Sequence, residues 1–216
     1  MSRFKGKKTK IRPILYNHIK NNKREYVIVT ILFFIGLVLA AIFVNNYSDQ
    51  MLIEINTYLN QLFNNIRNSE NLNLLELLKD SILKNITITV LLWFGASTII
   101  GIPIVYGTII LKGFSIGYTI SCLLTAFGIW KGLGIAISIM LLHNIILLPT
   151  VFVISVSGVK LYKSIMQNKQ RENIKIEILR HTLFCFIMLI GMFIASLIEV
   201  YLSTNISVTF LKYIKM

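Results

Sequence analysis

His143 and Asn144 stand side by side within the apolar run LLHNIILLPT, with Pro149 five residues beyond the asparagine. An imidazole can relay a proton or bind a metal near neutral pH, and a carboxamide can orient a ligand through its acceptor and its donors. Either chemistry needs companions at defined spacings. No H-E-x-x-H is present to place two histidines and a glutamate around zinc, and the apolar runs hold no paired aspartates. No nucleophile elbow presents a serine beside a base, and no phosphate-cradling loop seats a nucleotide. The chain therefore reads as non-catalytic, with no cofactor and no metal site. Cys122 and Cys185 fall inside apolar runs and read as small buried hydrophobes. Glu199, about one helical turn from the outer end of the last apolar run, reads as an acid that snorkels or bonds a neighbouring helix.

The elements that must carry these residues are membrane helices. Hydrophobic residues make up 55% of the 216 and charged residues only 14%, more apolar surface than one soluble core of this size can hide. The fold class expected is an all-α polytopic membrane protein of about five transmembrane helices with an extracytoplasmic helical hairpin. The spans are read at 26–44, 86–111, 114–130, 133–156 and 182–202, with breaks at Lys112–Gly113 and Lys131–Gly132. The first is too long for a signal peptide and lacks a small-residue cleavage site, so it reads as a retained anchor. The run 114–130 barely crosses, so spans three and four either cross or dip in together as a re-entrant hairpin.

Orientation follows from the basic residues. Of 22 Lys and Arg, sixteen fall in 1–25, 157–181 and at Lys112. That asymmetry puts the N-terminus in the cytoplasm and the tail 203–216 outside. Because these charges flank membrane spans, the net charge of +13 is no sign of a nucleic-acid binder. Residues before the first span suit a short helix with Pro13 in its first turn, either lying on anionic lipid or serving only as a topology signal.

Outside the membrane, 45–85 reads as two amphipathic helices. Leu52, Ile55, Leu59, Leu62 and Ile66 recur at steps of three and four. A second helix starts at Asn73, with Glu76 at the capping-box position. The two apolar faces either pack on each other, lie on lipid or receive a partner.

Within the spans, Gly113, Gly117, Ser121 and Thr125 share one helical face, as suits close helix approach. Packing within the chain is preferred there to homodimerisation. Pro103 after Gly101 predicts a kink in span two, and Pro149 a local distortion of span four. His143 and Asn144 fall near the midplane of span four, where hydrocarbon offers no partner. The preferred reading is a hydrogen-bonded staple between helices; a substrate or proton path and a partner-helix contact are the alternatives.

Three stretches carry a resemblance: NHIKNNKREYVIVTILFFIG, WFGASTIIGIPIVYGTIILKGFSIGYTIS and LLHNIILLPTVFVISVSG. Together they resemble the stage II sporulation protein M family from about residue 14 to residue 205. The specific parts are Gly101-Ile102-Pro103, Lys112 through Gly117, and His143-Asn144 with Pro149. Family members often have a proline directly before the His/Gln-Asn pair; here Leu142 stands there, which shifts any break toward Pro149. The resemblance implies a protein of the membrane with which the mother cell of an endospore-forming bacterium engulfs the forespore. It further implies a non-catalytic anchor for peptidoglycan hydrolases, the stage II sporulation proteins D and P. The alternative is a permease-like subunit or small transporter, suggested by a midplane polar pair near helix breaks. The absence of repeat symmetry and the scarcity of intramembrane charge stand against it.

Overall fold

A computed structural model describes residues 11–67, 73–98, 100–166 and 171–203. Within them the chain forms α1 (Ile11–Asn21), α2 (Lys23–Asn45), α3 (Asp49–Arg67), α4 (Leu74–Ala96), α5 (Gly101–Phe127) and α6 (Ile129–Ala136). A π-helical turn at Ile137–Leu141 leads into α7 (Leu142–Met166), and α8 (Arg171–Leu197) ends in a second π segment, Ile198–Ser203. The fold is all-α. Four helical stretches are long and apolar enough to cross a membrane: Lys23–Asn45, Gly101–Phe127, His143–Met166 and Ile174–Leu202. Val27, Ile31, Phe34, Val38 and Ile42 point outward from α2, and Leu183, Phe186 and Ile190 from α8. Exposed side chains of this kind are suited to lipid, where a helix pairs its own backbone groups.

α2 and α5 run parallel and make the closest approach in the bundle. A Cβ on Gly36 would overlap the carbonyl oxygen of Ile110, and one on Gly113 the carbonyl oxygen of Phe33. Gly117 lies against Leu37 and Ala40 in the same seam. Ser121 is half-buried, and Thr125 is exposed with its hydroxyl donating to the Ser121 carbonyl at 2.9 Å. The small residues of α5 thus meet a second glycine, Gly36, inside the same chain. α4, α7 and α8 complete the bundle around Leu92, Ile109, Leu147, Val151, Ile154 and Met192.

Two expected breaks move and one expected kink does not form. The break predicted at Lys112–Gly113 lies instead between Ala96 and Gly101, and Lys112 and Gly113 sit in the middle of α5. A glycine inside a helix costs about 1 kcal/mol relative to alanine, which the close packing on α2 offsets. Residues 94–98 end α4 with real terminators: Ser97 and Thr98 donate their hydroxyls back to the Trp93 and Gly95 carbonyls at 3.1 and 2.8 Å. Pro103 consequently falls in the first turn of α5 and makes no mid-span kink, since an N–H missing there had no helical partner to lose. The turn expected at Lys131–Gly132 is at Gly128, whose φ of 77° favours glycine; Lys131 and Gly132 are inside α6.

The expected second span therefore divides. Its first part belongs to α4, whose opening half carries Glu76, Lys79, Asp80 and Lys84 and whose apolar stretch begins only at Ile86. α4 runs antiparallel to α5 and α8, alongside the four long apolar helices. Its start at Asn73 has no side-chain cap, so the Glu76 capping box does not form.

The hairpin is also corrected. Residues 49–67 and the start of α4 are helical, but among the described residues α3 does not touch α4. It packs on the end of α5, where Leu59 and Leu62 meet the small cluster of Leu123, Ile135 and Ala136. That cluster gives α3 an apolar seat that a two-helix hairpin alone would not have.

Candidate functional site

The residues singled out from sequence do not converge on one place. His143 is buried at the start of α7, directly after the π turn. Asn144 donates its amide to the Met140 carbonyl at 2.9 Å, within the preceding turn, and its buried Oδ1 has no hydrogen-bonding partner among the described residues. The expected interhelical staple is therefore not made by Asn144. It lines an apolar groove of about 320 Å³ with Ile116, Ile120, Ile137, Met140 and Leu148. α7 continues through Pro149, which is exposed. The backbone irregularity lies at 137–141, upstream of the pair rather than at the proline.

The interhelical polar contacts run instead along α4 and α8. Ser81, Asn85 and Thr89 recur every four residues and so share one face of α4. Ser81 donates to the Glu199 carboxylate at 2.6 Å, and the Asn85 amide to the Ser196 hydroxyl at 2.8 Å. The Thr89 hydroxyl contacts the Met192 sulfur at 3.0 Å while donating to the Asn85 carbonyl at 2.9 Å. Glu199 is thus an interhelical partner. Asn85 is not singled out from the sequence; its signal is the small polar residue at every fourth position entering an apolar run.

A second set of contacts lies between α7 and α8. One ring nitrogen of His181 is 3.1 Å from the Ser157 hydroxyl and the other 3.6 Å from the Cys185 sulfur. The ring is 1% exposed, so the trio ties helices together and presents no nucleophile to a substrate. The string Gly113-Phe114-Ser115-Ile116-Gly117 does spell G-x-S-x-G. It sits inside α5, whereas the hydrolase elbow requires a sharp turn between a strand and a helix. Among the described residues no group of three or more His, Cys, Asp or Glu could hold a metal.

At the outer end of the bundle, Leu52, Ile55, Leu59 and Leu62 are half-buried, facing the bundle; the Ile66 side chain lies outside the described residues. Turned away from the bundle are Met51, Ile53 and Tyr58, the last two more than 60% exposed. The Tyr47 hydroxyl donates to that of Tyr118 at 3.3 Å, tying the chain before α3 to α5.

The opposite end gathers the starts of α2 and α8 with the end of α7. Lys163 pairs with Glu25 at 2.8 Å, and Glu177 pairs with Arg180 at 2.8 Å and Lys160 at 3.7 Å. α1 folds back on this end through His18, whose Nδ1 lies 3.1 Å from the Tyr26 hydroxyl and whose ring packs 4.8 Å from that of Phe184. Burial, then the nearby Lys160 and Arg180 charges, hold the imidazole below its ordinary value of 6.5. The undocked helix then binds the proton more readily than the docked one. Docking of α1 is at full strength above 6.5 and weakens as pH falls through that value toward the lowered one. A spin label at Tyr16→Cys should gain mobility across that drop in the wild type but not in His18→Phe. Equal mobility of the wild type at both ends of the window would disprove the linkage.

Against known proteins, the family model described as stage II sporulation protein M matches residues 29–204. No curated protein and no solved structure matches the chain.

Proposed function

The chain belongs to the stage II sporulation protein M family, and on that premise we propose that it is a non-catalytic membrane scaffold of the engulfment machinery. Its role in this reading is to anchor or recruit the peptidoglycan-degrading stage II sporulation proteins D and P at the mother-cell membrane. The observation that supports it best is the seating of α3. One face is fixed on the bundle end by Leu59 and Leu62, while Met51 and Tyr58 on one flank and Ile53 on the other are left exposed. A short amphipathic helix held firmly at one face can offer the other to a partner with little loss of conformational freedom. Two polar pairs of the bundle interior tie helices together: Ser81 donates to Glu199, and His181 meets Ser157.

The orientation proposed has the N-terminus in the cytoplasm, the α3 end outside and the segment 157–181 inside. Lys112 drops out of the charge asymmetry because it lies within a span, but the basic clusters of 1–25 and 157–181 preserve its sign. The Lys163–Glu25 pair supports this by placing the start of α2 and the end of α7 at one end of the bundle. Against a permease role, the groove that Asn144 lines is otherwise walled by isoleucine, leucine, alanine and methionine, so among the described residues its carboxamide is the one polar group there.

Copurification of the two hydrolases with the full chain tests the scaffold. Replacing Met51, Ile53 and Tyr58 together by glutamate should reduce capture by roughly tenfold or more, as expected when a central apolar anchor is lost. Undiminished capture by a correctly inserted triple variant would remove α3 as the docking face. Failure of the unaltered chain to retain either hydrolase would remove the scaffold reading itself.

A further inference from the structure

We infer that the groove between α4 and α5 is a binding site for a phosphate-bearing lipid, held by Lys112 at its floor and Lys84 at its rim. The groove encloses about 650 Å³ and is walled on its apolar side by Leu83, Ile88, Leu91 and Leu111. Leu83 and Leu111 are more than 60% exposed, so the groove opens sideways where acyl chains would lie. A volume of this size fits a headgroup and the first part of its chains.

The charge is what selects the ligand. Lys112 lies eleven residues into α5, ~16 Å from the helix start at 1.5 Å per residue, and so near mid-span. A cation at that depth is costly unless an anion or water meets it. Among the described residues no carboxylate is within ion-pair distance of Lys112. Glu199, hydrogen-bonded by Ser81, does not line the groove, although its charge reaches Lys112. Asp80 also lines the groove, one turn before Lys84, so the lining itself carries one carboxylate against two ammonium groups. The Thr87 and Thr108 hydroxyls donate to the Leu83 and Ile104 carbonyls of their own helices. The two ammonium groups and the Ser115 hydroxyl remain as donors facing the groove. Three donors, a net positive lining and an apolar flank open to the side match a phosphodiester headgroup carrying acyl chains. A neutral lipid or a free ion would use only part of that set. The site is independent of the hydrolase-scaffold reading.

The test uses the full chain in mild detergent, exposed to mixed vesicles of phosphatidylglycerol and phosphatidylcholine, with retained lipid counted by native mass spectrometry. Phosphatidylglycerol should be retained in preference, and Lys112→Gln and Lys84→Gln should each weaken that preference by roughly fivefold, the usual worth of one basic residue at an anionic membrane. Lys112→Arg should restore it, and Lys79→Gln, an exposed lysine outside the groove, should leave it unchanged. Because Lys84 is exposed, its variant reports on the site even where Lys112→Gln perturbs packing. Undiminished retention in the Lys84→Gln/Lys112→Gln double variant overturns the site. Equal binding of soluble glycerol phosphate in competition overturns the lipid assignment, because the anion alone would then account for the affinity.

Discussion

Gly113→Val is expected to destabilise the bundle by about 3 kcal/mol, at the upper end of what overpacking a well-filled core costs. The reason is backbone against backbone. The Cβ position of Gly113 is already occupied by the Phe33 carbonyl, and that of Gly36 on α2 by the Ile110 carbonyl, so no side-chain rotamer change can make room. α2 and α5 would have to separate, and dispersion contacts along the whole seam would weaken together, including Gly117 on Leu37 and Ala40. Gly107 supplies the control on the same helix. A Cβ there meets nothing within 4 Å, so Gly107→Ala should be neutral or stabilise by up to about 1 kcal/mol through helix propensity. Thermal or denaturing-detergent unfolding of the two variants beside the parent decides the matter. Equal stability of Gly113→Val and Gly107→Ala would show that α2 and α5 do not meet at this seam.

Asn85→Ala should cost about 1–2 kcal/mol. The change removes the donor that holds the Ser196 hydroxyl at 2.8 Å, in a setting with no water to replace it. Asn85 is 6% exposed and Ser196 fully buried. A double-mutant cycle separates this bond from the volume lost with the side chain. Asn85→Ala, Ser196→Ala and the pair should give a coupling of about 1 kcal/mol, within the range for polar contacts between membrane helices. A coupling indistinguishable from zero would mean that the α4–α8 seam is held by apolar packing alone. The same cycle applied to His143 and any residue of a neighbouring helix asks whether the more conspicuous polar residue does comparable work.

The contrast between Asn85 and Asn144 shows how far the chain could be read without its fold. Both are asparagines in apolar runs, and periodicity alone cannot rank them. Asn144 attracted notice because it adjoins a histidine and a proline, yet its amide turns back to Met140 on its own helix. Asn85 has no such neighbours, yet it bonds a residue of another helix 111 positions away in sequence. The difference depends on which helix lies opposite, and that is set by packing between distant segments. Lys112–Gly113 makes the same point in one dimension. A lysine followed by glycine between apolar stretches resembles a loop, but Gly113 is the contact that lets α2 approach, and the helix continues through it. The α3 stripe was legible as amphipathic; that it seats on Leu123, Ile135 and Ala136 rather than on α4 was not.

By itself the sequence determined that this is an all-helical membrane protein, because apolar runs of that length have one stable solution in lipid: helices that satisfy their own backbone. It also determined the family, through motifs distributed over most of the chain. Tertiary structure alone decided where the second and third runs break, which polar residues bond across helices, and which face of α3 is left outward. Those outcomes depend on glycine-sized gaps and opposing donors brought together from distant segments, and a local pattern contains neither.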